Sequence, residues 1–502
     1  MKNYKLKSYI LILFITTIVV SSCDNYLEES PDDRLELNSV EKAAKVVADS
    51  YSQGSYAFTD MYTDLAGSLG VPDANGIVAN SGGNTIRLKD LQIYTWDDVT
   101  AINQDTPNYF WNNTYEAIAH SNEVLAVIDN LEGDEKQKNA VKGEALISRA
   151  YNHFMLVNLF GLHYDENAST NLGVPYIVKP ETEFLPTYKR NTVAEVYDFV
   201  EKDLLEGLAL ISDEFFIGTK KYHFTKKAAQ AFASRYYLWK KDYANCIKYS
   251  DLFLGGNATA FVKNSADFTL SGGEALRKQY ENPEEESNVF VIQKFSLYQR
   301  RNFGFRLNSN DVTILFRNPL SARDVRNNPF IFNGREVNFL PRLFEYFFRE
   351  NLSSTTGLAY HIAVELKGEE VLLNRAEAKL MLNSDITGAL DDLNIYIGKR
   401  YIGGALYTNA DIPNIELFYN ATNPEDGILQ LLLDERKKEF WDHGLRWFDI
   451  KRYNLSVSHV LPISEGGNGR LTDPLILTEN DLRKAVQIPE DAISLGLTPN
   501  PR

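Results

Sequence analysis

LDERKKEFWDHGLRWFDIKRYN, Leu433 to Asn454, gathers five carboxylates (Asp434, Glu435, Glu439, Asp442, Asp449), three arginines (Arg436, Arg446, Arg452), His443, two tryptophans and two phenylalanines. Such density suits an active site, and it suits a buried structural knot equally well. Upstream, Asn423, Pro424, Glu425 and Asp426 supply an N-cap, a first-turn proline and acids favoured by the helix dipole, so a helix begins there. Leu429, Leu433 and Phe440 give it an apolar stripe, and Gly444 is the expected left-handed stop. Glu435 and Glu439 fall one turn apart on one face, where like charges repel unless a cation lies between them. Arg446 is the expected cation.

The catalytic reading of this stretch is glycoside hydrolysis, which needs only two suitably spaced carboxylates. A general acid needs a raised pKa, whereas the neighbouring Arg436, Lys437 and Lys438 depress one. Glu435, Arg436, Glu439, Arg446, Trp447 and Asp449 therefore read as a structural Arg–Glu–Trp network, with no catalytic residue. Elsewhere there is no G-x-x-x-x-G-K-[ST], strand-linked G-x-G-x-x-G or G-x-S-x-G motif, and no cofactor is expected. The seven histidines never pair at three or four residues' spacing, and Asp73-x-Asn75-Gly76 lacks the acid of a calcium loop at Asn84. No metal site is expected.

Working outward, the chain reads as mainly α, built from paired helices. Helices are expected from Asn38/Ser39 through Tyr56, from Thr106-Pro107 to about Leu131, from Gln137 to Phe160, and from the capping box Thr192-x-x-Glu195 to Ile211. Ser234, Tyr237 and Cys246 take the small, aromatic and small packing positions of a tetratricopeptide hairpin formed by Thr225–Lys241 and Asp242–Leu254. Glu369–Leu382 with Ile386–Ile397 forms a second, with Ala376 and Gly388 at its close approach. Residues 67–104 read as loop with short strands, ending in Tyr94-Thr95-Trp96. Between 255 and 360 the helical period disappears around a buried strand at Val289–Ile292, and the tail after Tyr453 reads as mostly loop.

Lys2, Lys5 and Lys7, the apolar run from Tyr9 to Val20, and Val20-Ser21-Ser22 form a secretory signal peptide over residues 1–22. Cys23 follows in a lipobox-like Val-Ser-Ser-Cys, so it is the expected lipidation site, with 23–38 as the tether. Cys246 then stands alone, without a disulfide partner. Removing residues 1–22 takes away three lysines and no acid, so the formal charge falls from −16 to −19. That balance disfavours nucleic acid and anionic lipid as partners and suits neutral or cationic ligands at a solvated surface. The body divides into a helical scaffold (39–254), a loop-rich region (255–360) and a C-terminal helical pair with the signature stretch (361–502), forming one compact unit.

CDNYLEESPDD (23–33), ELKGEEVLLNRAEAKL (365–380), the 433–454 stretch, AVQIPED (485–491) and the terminal Asn-Pro-Arg together resemble the SusD/RagB family of Bacteroidetes outer-membrane lipoproteins. The resemblance implies a scaffold of tetratricopeptide-like pairs with a loop-rich, mixed second region. It also implies a non-enzymatic, surface-exposed protein on the outer membrane that binds oligosaccharide and partners a SusC-like TonB-dependent transporter. Family ligand sites use loop aromatics and polar groups, which here points to Asp73, Asn75, Arg87 and Trp96 in the first loop region and to Tyr298 and Arg301 in the second. Trp96, expected in a short strand, is the leading residue. Peptide binding, as in the RagB branch, and a surface glycosidase using Glu435/Glu439 are the alternatives.

Overall fold

The computed structural model describes residues 37–67, 77–79, 87–183, 186–265, 273–298, 305–307, 309–327, 332–334, 337–339, 345–349, 351–465 and 468–502. Ser39 caps helix α1 (Val40–Ala48) by accepting from the Lys42 amide. The helix stops well short of Tyr56, because Ser50, Ser52, Gly54 and Ser55 favour local side-chain bonds over helix. Residues 50–66 instead run as an irregular, almost wholly buried segment. Its polar backbone is satisfied by distant partners: the Ser50 carbonyl accepts from Ser148 (2.5 Å) and Asn152 (2.9 Å), and the Ser52 carbonyl from Lys294 (2.7 Å). The segment is thereby stitched to two other parts of the chain.

Helix α2 (Leu88–Tyr94) takes the place of the strand expected immediately before Trp96, with Lys89 and Ile93, and Asp90 and Tyr94, turned inward at helical spacing. Thr106 caps α3 (Pro107–Val127), Asp134 caps α4 (Glu135–Phe160), and Thr192 and Glu195 form the reciprocal capping box of α5 (Val193–Leu210). α4 and α5 cross at a glycine pair. A Cβ on Gly143 would lie 2.7 Å from the Ile211 nitrogen, and one on Gly207 would lie 2.6 Å from Ile147, so neither position accepts a side chain.

Helices α6 (Lys226–Trp239) and α7 (Tyr243–Leu254) form the first expected hairpin, with Ser234 3.9 Å from Cys246 and 2.8 Å from Ser250. Two short helices, α8 (Gly273–Tyr280) and α9 (Ser309–Leu315), interrupt the region where no helical period was expected. The second hairpin is α10 (Gly368–Asn383) with α11 (Ile386–Ile397), and Asn374 on α10 reaches Ser234 on α6 at 3.2 Å. Ala376 is fully buried, whereas Gly388 lies against the capping carboxylate of Asp385. Helices α12 (Ile412–Tyr419), α13 (Pro424–Glu439), α14 (Arg446–Arg452) and α15 (Glu490–Ser494) complete the helical part.

Strands are few and short. β2 (Asn288–Phe295), β6 (Leu358–Lys367) and β5 (Tyr346–Phe348) form an antiparallel sheet in that order, and β3 (Phe332–Gly334) pairs with β4 (Val337–Phe339). The tail is more regular than its glycines suggest. β8 (Pro462–Glu465) and β9 (Asn468–Leu471) form a hairpin joined by β1 (Ile77–Ala79), and β7 (Val457–His459) pairs with β10 (Leu475–Leu477). The fold is mainly α, and its main hydrophobic core draws on residues from Tyr51 to Ala492, so early and late segments of the described chain share one interior.

Candidate functional site

Asn423 caps α13 and its last turns are buried, which puts Glu435 and Glu439 inside the fold. Glu435 accepts from Arg326 (2.7 Å), Lys438 (2.9 Å) and Tyr401 (2.8 Å), and Glu439 from Lys367 (2.7 Å), Arg400 (2.9 Å) and Tyr396 (3.0 Å). Burial alone would raise both carboxyls. The surrounding cations outweigh it, Lys438 and Arg326 for Glu435 and Arg400 and Lys367 for Glu439, and hold both below the ordinary range. A glycosidase acid would need the opposite shift.

Arg446 does not sit between these glutamates. Gly444, at φ +80°, reverses the chain so that α14 leaves towards the N-terminal segment, and Arg446 clasps Asp64 through two 2.9 Å bonds. Thr59 donates to the Gly444 carbonyl at 2.8 Å and tightens the same junction. Arg436 pairs with Asp449 at 3.1 Å and donates to Asn374 at 2.8 Å, while Trp447 packs on Tyr62 with ring centroids 4.9 Å apart.

The outer side of this knot forms one wall of an open cleft of about 700 Å³. Because Glu435, Arg436, Lys438 and Glu439 point inward, Asp434 and Lys437 take the opposite face of α13 and reach the cleft. Lys437 bonds Asp64 at 2.9 Å, and Asp434 is held by Lys438 (2.7 Å) and by the Tyr419 hydroxyl (3.0 Å). The Asp64 carboxylate is about a third exposed, and Arg446 and Lys437 beside it hold its carboxyl far below the usual range. The facing wall comes from α9 and the turn after it, where Ile314 and Arg317 are both exposed and the Arg317 carbonyl accepts from Lys438 at 2.9 Å. Phe418, about half exposed, adds a ring.

Beneath the cleft lies a column of parallel rings. Phe305 stacks on Tyr94 (3.9 Å), Tyr94 on His459 (4.0 Å) and His459 on Trp96 (4.4 Å), with each pair of planes within 12°. The imidazole nitrogens of His459 face the Tyr94 carbonyl (2.7 Å) and the Thr63 carbonyl (2.9 Å), which fixes the column in place. Ionised carboxylate, cations and exposed apolar surface around one open space suit a ligand with hydroxyl groups and an apolar face. A second cavity, of about 300 Å³ between α3 and the chain near Tyr188 and Leu495, is mainly apolar and carries Trp111 and Tyr115. A third, of about 30 Å³ beside Lys294 and His361, has room for water alone.

The cleft draws on both loop regions singled out in the sequence, through Gly67 and Tyr94 from one and Leu307 and Arg317 from the other. The individual residues differ. Trp96 is not in a strand; it follows α2 at φ 57°, is 3% exposed and donates its indole N–H to the Tyr62 carbonyl at 2.9 Å. Tyr298 is buried beneath the Arg306 guanidinium, 4.7 Å from its ring centre. Neither ring offers a face to solvent, so both belong to the core. Arg87 is exposed at the start of α2, and Asp73, Asn75 and Arg301 lie outside the described residues, as do the signal segment and Cys23. Asp64, Arg317, Phe418 and Lys437 were not singled out beforehand. Only Lys437 had a signal, three residues from Asp434 on the face of α13 opposite its buried charges.

Residues 25–238 match the SusD-like family model described as "Starch-binding associating with outer membrane", and residues 345–485 match the model of the SusD family. The chain belongs to the SusD family. A SusD-like protein P2 from Formosa agariphila is 25% identical over 275 residues, and the match spans about half of either chain: 53% of this one and 49% of the relative. A SusD superfamily protein from Bacteroides thetaiotaomicron shares the fold with a TM-score of 0.65 at 20% identity, covering 92% of this chain and 100% of its own. A laminarin-binding SusD-like protein shares it at a TM-score of 0.59 and 15% identity, over 92% of this chain and 98% of its own. The two segments matched to SusD-family models meet directly in the Ser234–Asn374–Arg436 contacts. Among the described residues, no helix is long and apolar enough to cross a membrane.

Proposed function

We propose that this SusD-family chain binds oligosaccharides at the cell surface, in the cleft walled by Asp64, Lys437, Arg317, Ile314 and Phe418, and passes them to a SusC-like TonB-dependent outer-membrane transporter without cleaving them. The observation that carries the reading is the pairing at the Asp64–Lys437–Arg446 clasp. It holds an ionised carboxylate and two cations rigidly beside exposed apolar side chains, an arrangement that hydrogen-bonds hydroxyls in pairs and packs against a sugar face. A structural relative that binds laminarin supports a glycan as the ligand class. A lipid on Cys23 would hold the protein to the membrane, with the acidic segment 24–38 as its tether.

Residues 24–502, which contain every described element, are the form to test. Affinity electrophoresis against a panel of polysaccharides should show retardation by at least one, without release of reducing sugar. Lys437→Ala should weaken it on the order of tenfold, the worth of a charge-assisted hydrogen bond. Retardation by none, with peptides co-purifying instead, would replace the glycan reading with a peptide one. Expression with a SusC-like transporter from the same organism should give a complex that survives detergent extraction.

A further inference from the structure

The cleft is not electrically balanced. Asp64 is shared by Lys437 and Arg446, and Asp434 is taken by Lys438 and Tyr419. Asp311 is also engaged. Among the described residues, the Arg317 guanidinium is the one charged group on the cleft wall with no ion-pair or hydrogen-bond partner. Its position is nevertheless defined, since its amide donates to the Ile314 carbonyl at 3.1 Å and its own carbonyl accepts from Lys438. The cleft thus presents two carboxylates, Asp64 and Asp434, already paired with cations, an open planar fork of donors, and the exposed Ile314 beside it.

We infer that the ligand is an anionic oligosaccharide, charged as a uronate carboxylate or a sulfate ester, and that Arg317 reads that charge; this rests on the glycan reading of the cleft. A guanidinium matches either oxyanion with two parallel hydrogen bonds, which a neutral hydroxyl cannot return. The chain's overall negative charge does not oppose this at contact distance, because screening limits its reach to about 8 Å at physiological salt.

Calorimetry on residues 24–502 should compare oligogalacturonides, sulfated galactan oligosaccharides and neutral gluco-oligosaccharides of equal length. One acidic set is expected to bind on the order of tenfold tighter than the neutral set, and the tighter set tells uronate from sulfate. Arg317→Gln should collapse the acidic-to-neutral ratio towards one, and Arg317→Lys, which keeps the charge, should retain much of it. Neutral sugars binding as tightly as both acidic sets, or a ratio that survives Arg317→Gln, overturns the inference and leaves glycan binding standing. Binding by none of the three sets overturns both. An unchanged melting temperature for the Arg317 variants separates loss of recognition from loss of fold.

Discussion

The indole of Trp96 lies flat against the imidazole of His459, with ring centroids 4.4 Å and planes 12° apart, and its N–H is spent on the Tyr62 carbonyl. The ring supports the cleft from below and has no face left for a ligand. Trp96→Ala should therefore act on stability, by about 3–5 kcal/mol, the usual cost of removing a buried large aromatic. Urea denaturation checks this. An unchanged midpoint with lost sugar binding would return the ring to the surface.

Glu439 sits among Lys367, Arg400 and Tyr396. Glu439→Gln leaves those cations buried without their counter-charge and should cost roughly 3–5 kcal/mol. The same network sets a pH dependence. Glu435 and Glu439 have folded pKa values below their unfolded ones, so their contribution is complete above the unfolded value of about 4.3 and is lost as pH falls below it. Urea midpoints measured down an acid series should drop through that window, and the drop should be shallower in Glu439→Gln.

Cys246 is fully buried between α6, α7 and α10, and burial pushes its thiol up to about 12. In residues 24–502 it is the sole cysteine. A thiol reagent at neutral pH should leave the native protein unlabelled and should react at the rate of unfolding once urea is added. Rapid labelling of the native state would contradict the packing of the hairpin.

Gly444 combines φ +80° with a position where a Cβ would overlap the Tyr56 carbonyl oxygen. Gly444→Ala should cost about 1–2 kcal/mol for the left-handed backbone, and more for displacing Tyr56. A melting temperature equal to that of the parent would show that the turn relaxes freely.

The helical scaffold was legible because its signals are local. Thr106, Thr192, Thr225 and Asn423 each cap the helix their spacing announces, and Ser234 and Cys246 meet as their positions in a hairpin require. The site was legible only as two regions of chain. Trp96 looked like a platform because an aromatic in a glycine-rich stretch carries no local sign of burial; His459, which covers it, lies more than 360 residues away. Arg446 was matched to Glu435 and Glu439 in the same stretch, and its partner Asp64 is 382 residues distant. Lys437 was hidden in a run of charges whose other members face inward, a division that depends on what packs against α13.

The buried course of residues 50–66 has a consequence for assembly. Its contacts with Gly444 and Arg446 close loops of 382 to 385 residues, so they cannot form until nearly the whole chain is present. During synthesis α1 and Ser50 can meet α3 and α4 early, whereas Thr59 and Asp64 must wait for Gly444 and Arg446, which emerge late. Completion of the fold is thereby deferred to a late stage of chain delivery.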